Sequence, residues 1–240
     1  SVSVQEHPLS YDASADGGLE AVDLARWSEP AGDRVKDLSL STELNGPIAQ
    51  FGRRFWAELE KTDEETAALL KNNQITRVYY TDRYIQNPAA LVLLGSIMNQ
   101  LKPRLSGHAQ VAINTLFKAK EKPGFKAAHD WANEDDFQGF AEQWFTTLMG
   151  KPVDVTLNYS NRDIPHHRKL LVEFDNGKAL KIRFDQGMGY WFIQFRPDSY
   201  NFMAEVEDQI FNMARSLEQA RVSNKEERWP TDVLVEIQQQ

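Results

Sequence analysis

Residues 162–191 read R-D-I-P-H-H-R-K-L-L-V-E-F-D-N-G-K-A-L-K-I-R-F-D-Q-G-M-G-Y-W, and the period of this stretch decides the fold. Side chains alternate along a strand. A strand over 165–174 therefore puts His166, Arg168, Leu170, Val172 and Phe174 on one face. His167, Lys169, Leu171 and Glu173 take the other, mostly polar face. An imidazole and a guanidinium thus head a face that turns apolar, an arrangement suited to the mouth of a pocket that receives an anion. A second strand, 179–184, follows D-N-G-K, and Asp-Asn-Gly between two such runs signals a hairpin.

Upstream, helix and strand periods alternate. Ile48, Phe51, Phe55, Trp56 and Leu59 recur at helical spacing, and Thr62 or Asp63 can cap a second helix over 64–70. The run I-T-R-V-Y-Y-T, 75–81, is β-branched and aromatic and reads as a strand, with Asp82-Arg83-Tyr84-Ile85 leading out of it. Pro88 suits a first helical position, and 89–101 is an apolar helix ended by Pro103. A buried strand is expected over 111–117, a helix over 134–149 and an alternating strand over 153–159. After the hairpin come a short strand, 192–195, and a long helix, 202–222. The expectation is an α/β fold, a mixed sheet flanked by helices.

Residues 1–46 are rich in Ser, Asp, Gly, Glu and Pro and read as a loosely ordered lead-in or linker, with the folded domain over 47–222. The opening S-V-S-V, without Met, suggests a fragment of a longer protein. Residues 223–240 read as a C-terminal tail with one aromatic anchor, Trp229, and a strand-like stretch at 233–237.

Composition narrows the function. The 240 residues are 41% hydrophobic, enough for a sizeable core, and contain no cysteine, which removes disulfides, thiolate catalysis and Cys-ligated zinc. The lack of cysteine fits a reducing, cytoplasmic setting. The longest charge-free run, 84–101, is interrupted by polar residues and too short in its apolar part for a membrane span of roughly 20 residues. A net charge of −8 argues against a broad DNA-coating surface while allowing a local basic pocket.

Three clusters could carry chemistry. His166 and Arg168 supply a nucleophilic imidazole beside a cation that neutralises phosphoryl oxygens; the plainer role is to cap the sheet or pair with Asp163 and Asp175. Asp82-Arg83-Tyr84 sits at the carboxyl end of a strand, where ligands gather in open α/β sheets. There Arg83 could bind phosphate and Asp82 could hold Arg83 or Arg168, or Asp82 could cap a turn and leave Arg83 solvated. Asp185-Gln186-Gly187-Met188-Gly189 could form an anion nest from its amides, although a glycine pair is often only a turn. Lys181 and Arg183 share a strand face and could add charge, a solvated face being their ordinary role. His7, His108 and His129 lack ligand spacing and His166 and His167 project oppositely, so no metal is expected. No G-x-S-x-G elbow is present, and Glu134-Asp135-Asp136 reads as a complement to a helix dipole.

A strand followed by D-R-Y-I and an apolar helix, then H-x-R, a D-N-G hairpin and an aspartate turn with glycines resembles the phospholipase D-like C-terminal domain of MIT-domain proteins. The resemblance covers about 75–195 and rests on Asp82-Arg83-Tyr84-Ile85, His166-His167-Arg168, Asn176-Gly177 and the segment through Asp185. Bacterial and archaeal relatives accompany helicase-like proteins of phage-defence or mobile-element loci. The resemblance implies a phospholipase D-like fold. Full phospholipase D enzymes use two H-x-K-x-x-x-x-D motifs. Here His167-Arg168-Lys169 supplies H-x-K with Phe174 at the aspartate position, while His166-x-Arg168 matches the H-x-R of the MIT-type relatives. Neither His108 nor His129 begins a second motif.

The expected function is a catalytically degenerate phospholipase D-like domain that binds nucleic-acid phosphates without a cofactor, as a module of a larger helicase-type or phage-defence protein. His166, Arg168, Arg83 and Asp82 lead the site, with Tyr84, Lys181, Arg183, Asp185 and Gly187 around them. One alternative is a phosphodiesterase or nuclease whose histidine site is completed by homodimerisation, with His166 attacking phosphorus. Another is a scaffold presenting the aromatic helices around Phe55-Trp56 and Trp144-Phe145. Phosphoinositide membranes are disfavoured by the acidic balance.

Overall fold

A computed structural model of the chain describes residues 35–85, 87–117, 134–194 and 207–239. In chain order its elements are β1 (Val35–Leu40), β2 (Gly46–Pro47), α1 (Phe51–Thr62), α2 (Glu64–Asn72), β3 (Ile75–Asp82), α3 (Pro88–Asn99), β4 (Leu105–Leu116), α4 (Glu134–Met149), β5 (Asp154–Asn158), β6 (Arg168–Phe174), β7 (Lys178–Phe184), β8 (Ile193–Gln194), α5 (Glu207–Leu217), β9 (Arg221–Val222) and β10 (Thr231–Gln239). Seven strands form the main sheet in the order β1-β10-β7-β6-β3-β4-β5. The β3-β4 and β4-β5 pairs are parallel and the remaining pairs antiparallel, so the sheet is mixed. Strands β3, β4 and β5 step in one direction, and right-handed crossovers therefore put α3 and α4 on the same face.

Alternation decides which face that is. Val78, Tyr80, Val111, Ile113, Leu170, Val172, Ile182 and Phe184 are buried together, and Phe55 of α1 stacks on Phe184 with ring centroids 5.6 Å apart. The opposite face holds exposed Arg77 and half-buried Tyr79, Lys169, Leu171, Lys181 and Arg183. Within the helix layer α3 is buried nearly all round, as its uniformly apolar sequence requires, between α1, α4 and α5. Its start is set locally: Asn87 accepts from the Ala90 N–H, and Pro88 occupies the first turn. Asp63 caps α2 in the same way by accepting from the Thr66 N–H. The β6–β7 hairpin turns at Gly177, whose φ of 78° lies in the left-handed region that glycine enters at no steric cost.

The boundaries differ from the sequence expectation at both ends. Val35–Leu40, assigned to the lead-in, is an edge strand, and Thr231–Gln239, assigned to the tail, is an internal strand between β1 and β7. Val233, Val235 and Ile237 are buried in alternation with Leu234 and Glu236, so the last strand completes the core. The main sheet thus takes in strands on both sides of 47–222. Distant pairing is the reason: β10 finds its partner β7 some fifty residues upstream, which local periodicity does not register. The helix expected over 202–222 ends at Leu217, with 202–206 outside the described residues. Arg221–Val222 is instead the middle strand of a small sheet with β2 and β8. The strand expected from 111 begins at Leu105. Phe55, Trp56, Trp144 and Phe145 are all buried and belong to the core. None of the described helices is long and apolar enough to cross a membrane.

Candidate functional site

The polar focus of the molecule is the carboxyl end of β3. Tyr80 and Asp82 project to the helix face by strand alternation. One step past the Thr81–Lys169 pair, Asp82 stands opposite Arg168, which itself pairs with Phe184. Asp82 is fully buried, the Tyr80 hydroxyl donates to its Oδ2 at 2.9 Å, and the Tyr84 N–H donates to its Oδ1 at 2.8 Å. The Thr115 hydroxyl of β4 donates to the Asp82 carbonyl at 2.7 Å. Arg168 supplies the counter-charge, with Nε 3.7 Å from Oδ1.

Burial pushes the Asp82 carboxyl above its ordinary value of 3.8. The Arg168 charge, the Tyr84 amide, the Tyr80 hydroxyl and His166 pull it part of the way back. Burial, and after it the neighbouring Asp82 charge, drives the Tyr80 hydroxyl well above its ordinary 10.0.

Arg168 is aimed by its surroundings. Its Nη1 donates to the Asp185 carbonyl at 2.7 Å, and its guanidinium carbon lies 5.2 Å from the centre of the Tyr84 ring. Its buried Nε has no hydrogen-bond partner among the described residues, the Asp82 carboxylate being an ion-pair neighbour only. Gly187 closes the other side. A Cβ there would meet Arg168 Nε at 2.9 Å and Asp82 Oδ2 at 3.4 Å, so the turn can approach the pair only without a side chain. His166, exposed, lies near-perpendicular to the Tyr84 ring at a centroid distance of 6.2 Å, and Tyr84 is 52% exposed.

Several expectations are corrected. β6 begins at Arg168, so His166 lies in a bend before the strand; the shared neighbour Tyr84, not strand alternation, keeps it near Arg168. Arg83 turns away from the site. It is 2% exposed, and its Nε and Nη2 donate to the Ile164 carbonyl at 3.0 and 2.7 Å, with Nη2 also donating to Asn161 O at 2.6 Å. Its fork clamps the loop that delivers His166. Lys181 and Arg183 occupy the opposite sheet face from Arg168 and lie 3.6 and 3.9 Å from Glu236. The glycine turn is no nest: 188–190 is a 3-10 turn in which the Tyr190 N–H donates to Gly187 O, and neither Gly187 nor Gly189 has a positive φ. Asp185 contributes its carbonyl to Arg168.

Two members of the cluster escaped the sequence reading. Tyr80 shares the parity of Asp82, and applying the alternation used for 165–174 to 75–82 would have found it. Thr115 has no such signal, because only the β3–β4 register brings it there. A concavity at the opposite end of β3, lined by Lys71, Asn72, Gln74 and Arg104, contains none of the expected residues.

No curated protein matches this chain. Among solved structures, the crystal structure of polyphosphate kinase from Porphyromonas gingivalis is similar at 9% identity and a TM-score of 0.37, over 98% of this chain and 27% of that chain. So distant a likeness carries no argument. The family model described as the C-terminal domain of the DEAD/DEAH box helicase YjiV matches residues 34–237, from the edge strand β1 to the inserted strand β10. The chain belongs to this family of helicase C-terminal domains.

Proposed function

We propose that the Arg168 end of the sheet binds phosphates of a nucleic-acid backbone, and that the domain is phospholipase D-like in descent but does not hydrolyse its ligand. The observation that carries the reading is the convergence of Arg168, whose side chain keeps 16% exposure, with Tyr84, His166 and Gly187 over buried Asp82. A helicase C-terminal domain works beside nucleic acid, which supplies such acceptors in series. Arginine suits them because its planar fork meets phosphate oxygens with defined geometry. Binding of this kind positions a strand and reads no sequence. Hydrolysis is not proposed, because the chain offers one H-x-R motif where phospholipase D chemistry takes two histidines.

With Arg83 clamped and Lys181 and Arg183 on the other face, the phosphate contacts are few and the salt dependence is shallow. The test is equilibrium binding of a labelled oligonucleotide at several salt concentrations. Arg168→Ala is expected to weaken binding about tenfold and to reduce the salt slope by about one. The same affinity and slope in wild type and variant would falsify the proposal.

A further inference from the structure

Trp229 is 88% exposed and Phe192 57%; Phe192 directly precedes β8, and Trp229 lies in the connection between β9 and β10. By sequence Trp229 is the aromatic anchor of the C-terminal tail. Its backbone does anchor, since the Trp229 carbonyl accepts the Tyr190 hydroxyl at 2.8 Å, but the indole stands in solvent. Beside it the Arg228 guanidinium carbon lies 4.4 Å from the centre of the Tyr190 ring and 4.3 Å from that of Phe192. Phe192 is held in turn: its N–H donates to Asn224 Oδ1 at 3.1 Å and its carbonyl accepts from the Ser223 N–H at 3.0 Å. The Phe192 side of this surface is thus held before any ligand arrives, which lowers the cost of ordering it on binding.

This patch and the Arg168 site are the two ends of one turn. Gly187 touches Arg168, and the chain reaches Phe192 five residues later, a span of at most about 18 Å. Each end pairs an exposed ring with an arginine: Tyr84 with Arg168, and Phe192 with Arg228. Alternating cations and aromatic faces match the alternating phosphates and bases of an unpaired strand. Glu226 and Glu227, exposed on the turn before Arg228, keep this end from being a strong polyanion site, so recognition there falls to stacking.

We infer that the ligand is a single-stranded nucleic acid whose bases stack on Trp229 and Phe192 while its backbone crosses Arg168, an inference that rests on the proposed phosphate site. A protein partner would also use an exposed tryptophan, but it would not require the adjoining phosphate site.

The experiment compares a fluorescein-labelled single-stranded oligothymidine, the same strand with abasic residues, and its duplex with oligoadenine, using wild type, Trp229→Ala, Trp229→Phe and Arg168→Ala. Wild type is expected to bind the base-bearing strand about tenfold more tightly than the abasic strand or the duplex. Trp229→Ala removes most of that preference without changing the abasic affinity, Trp229→Phe restores it, and circular dichroism confirms that both variants fold. Equal affinity for base-bearing and abasic strands, or a Trp229→Ala protein that still discriminates, overturns the stacking inference. If binding then still depends on Arg168, the phosphate site stands and the patch passes to a protein partner. Binding that needs Trp229 but is indifferent to Arg168→Ala overturns the phosphate site alone. A chain that binds none of the three strands overturns both.

Discussion

Phe55, Trp56, Trp144 and Phe145 in the helix layer and Tyr84, Phe192 and Trp229 at the sheet end share a chemistry and differ in surroundings. The first set is buried, and edge and stacking contacts such as Phe55–Phe184 hold it in the core. The second set is exposed, and its ring contacts include arginines. Aromatic content in the sequence therefore says little about role. What separates the sets is whether the neighbouring elements leave a face uncovered.

Removing core aromatics gives the sharpest contrast. Phe55→Ala is expected to destabilise the fold by about 3–5 kcal/mol, because it deletes a side chain at 0% exposure that stacks on Phe184. Urea unfolding measures it, and a loss close to that of an exposed aromatic would erase the distinction.

The two arginines extend the comparison. Arg83→Ala leaves the Ile164 and Asn161 carbonyls without their donor, costing roughly 1–3 kcal/mol and loosening the loop before His166. Arg168→Ala, by contrast, acts mainly on ligand binding. Should Arg83→Ala weaken oligonucleotide binding while leaving the denaturation midpoint in place, the clamp assignment is wrong.

Asp82 sharpens the electrostatic side. Its folded-state pKa is raised, so its contribution to stability is fully present below the ordinary value and is lost as pH rises through the folded value. Wild type is therefore expected to gain stability relative to Asp82→Asn as pH falls from neutral towards about 4. Parallel stability curves for the two proteins would show that burial does not dominate at this carboxyl.

Trp229→Ala closes the series with the smallest structural effect, within about 0.5 kcal/mol of wild type, because the side chain has little contact to lose. A loss of several kcal/mol would place the indole in the core set after all.

Much of the architecture was legible because it is written in local periods. The alternation of 75–82, the capped apolar run after Pro88, the acidic start of 134–149 and the D-N-G hairpin each specify one element from neighbouring residues. Asp82, Arg168, Tyr84 and Gly187 could be picked out for the same reason, since strand ends and glycine turns are visible signals. The role of Arg83 was not legible: from sequence a guanidinium after a strand is a phosphate ligand or a solvated side chain, and only the fold of 161–164 supplies the carbonyls.

The residues by themselves determined a mixed α/β sheet, its hairpin and an arginine beside an aspartate-bearing strand end, because these depend on side-chain period and turn chemistry within a few positions. Tertiary structure alone decided that Thr231–Gln239 enters the sheet interior, that Arg83 meets backbone carbonyls while Arg168 meets Asp82, and that Trp229 stays in solvent. Those outcomes turn on pairing and burial between segments far apart in the chain, where no local pattern carries the information.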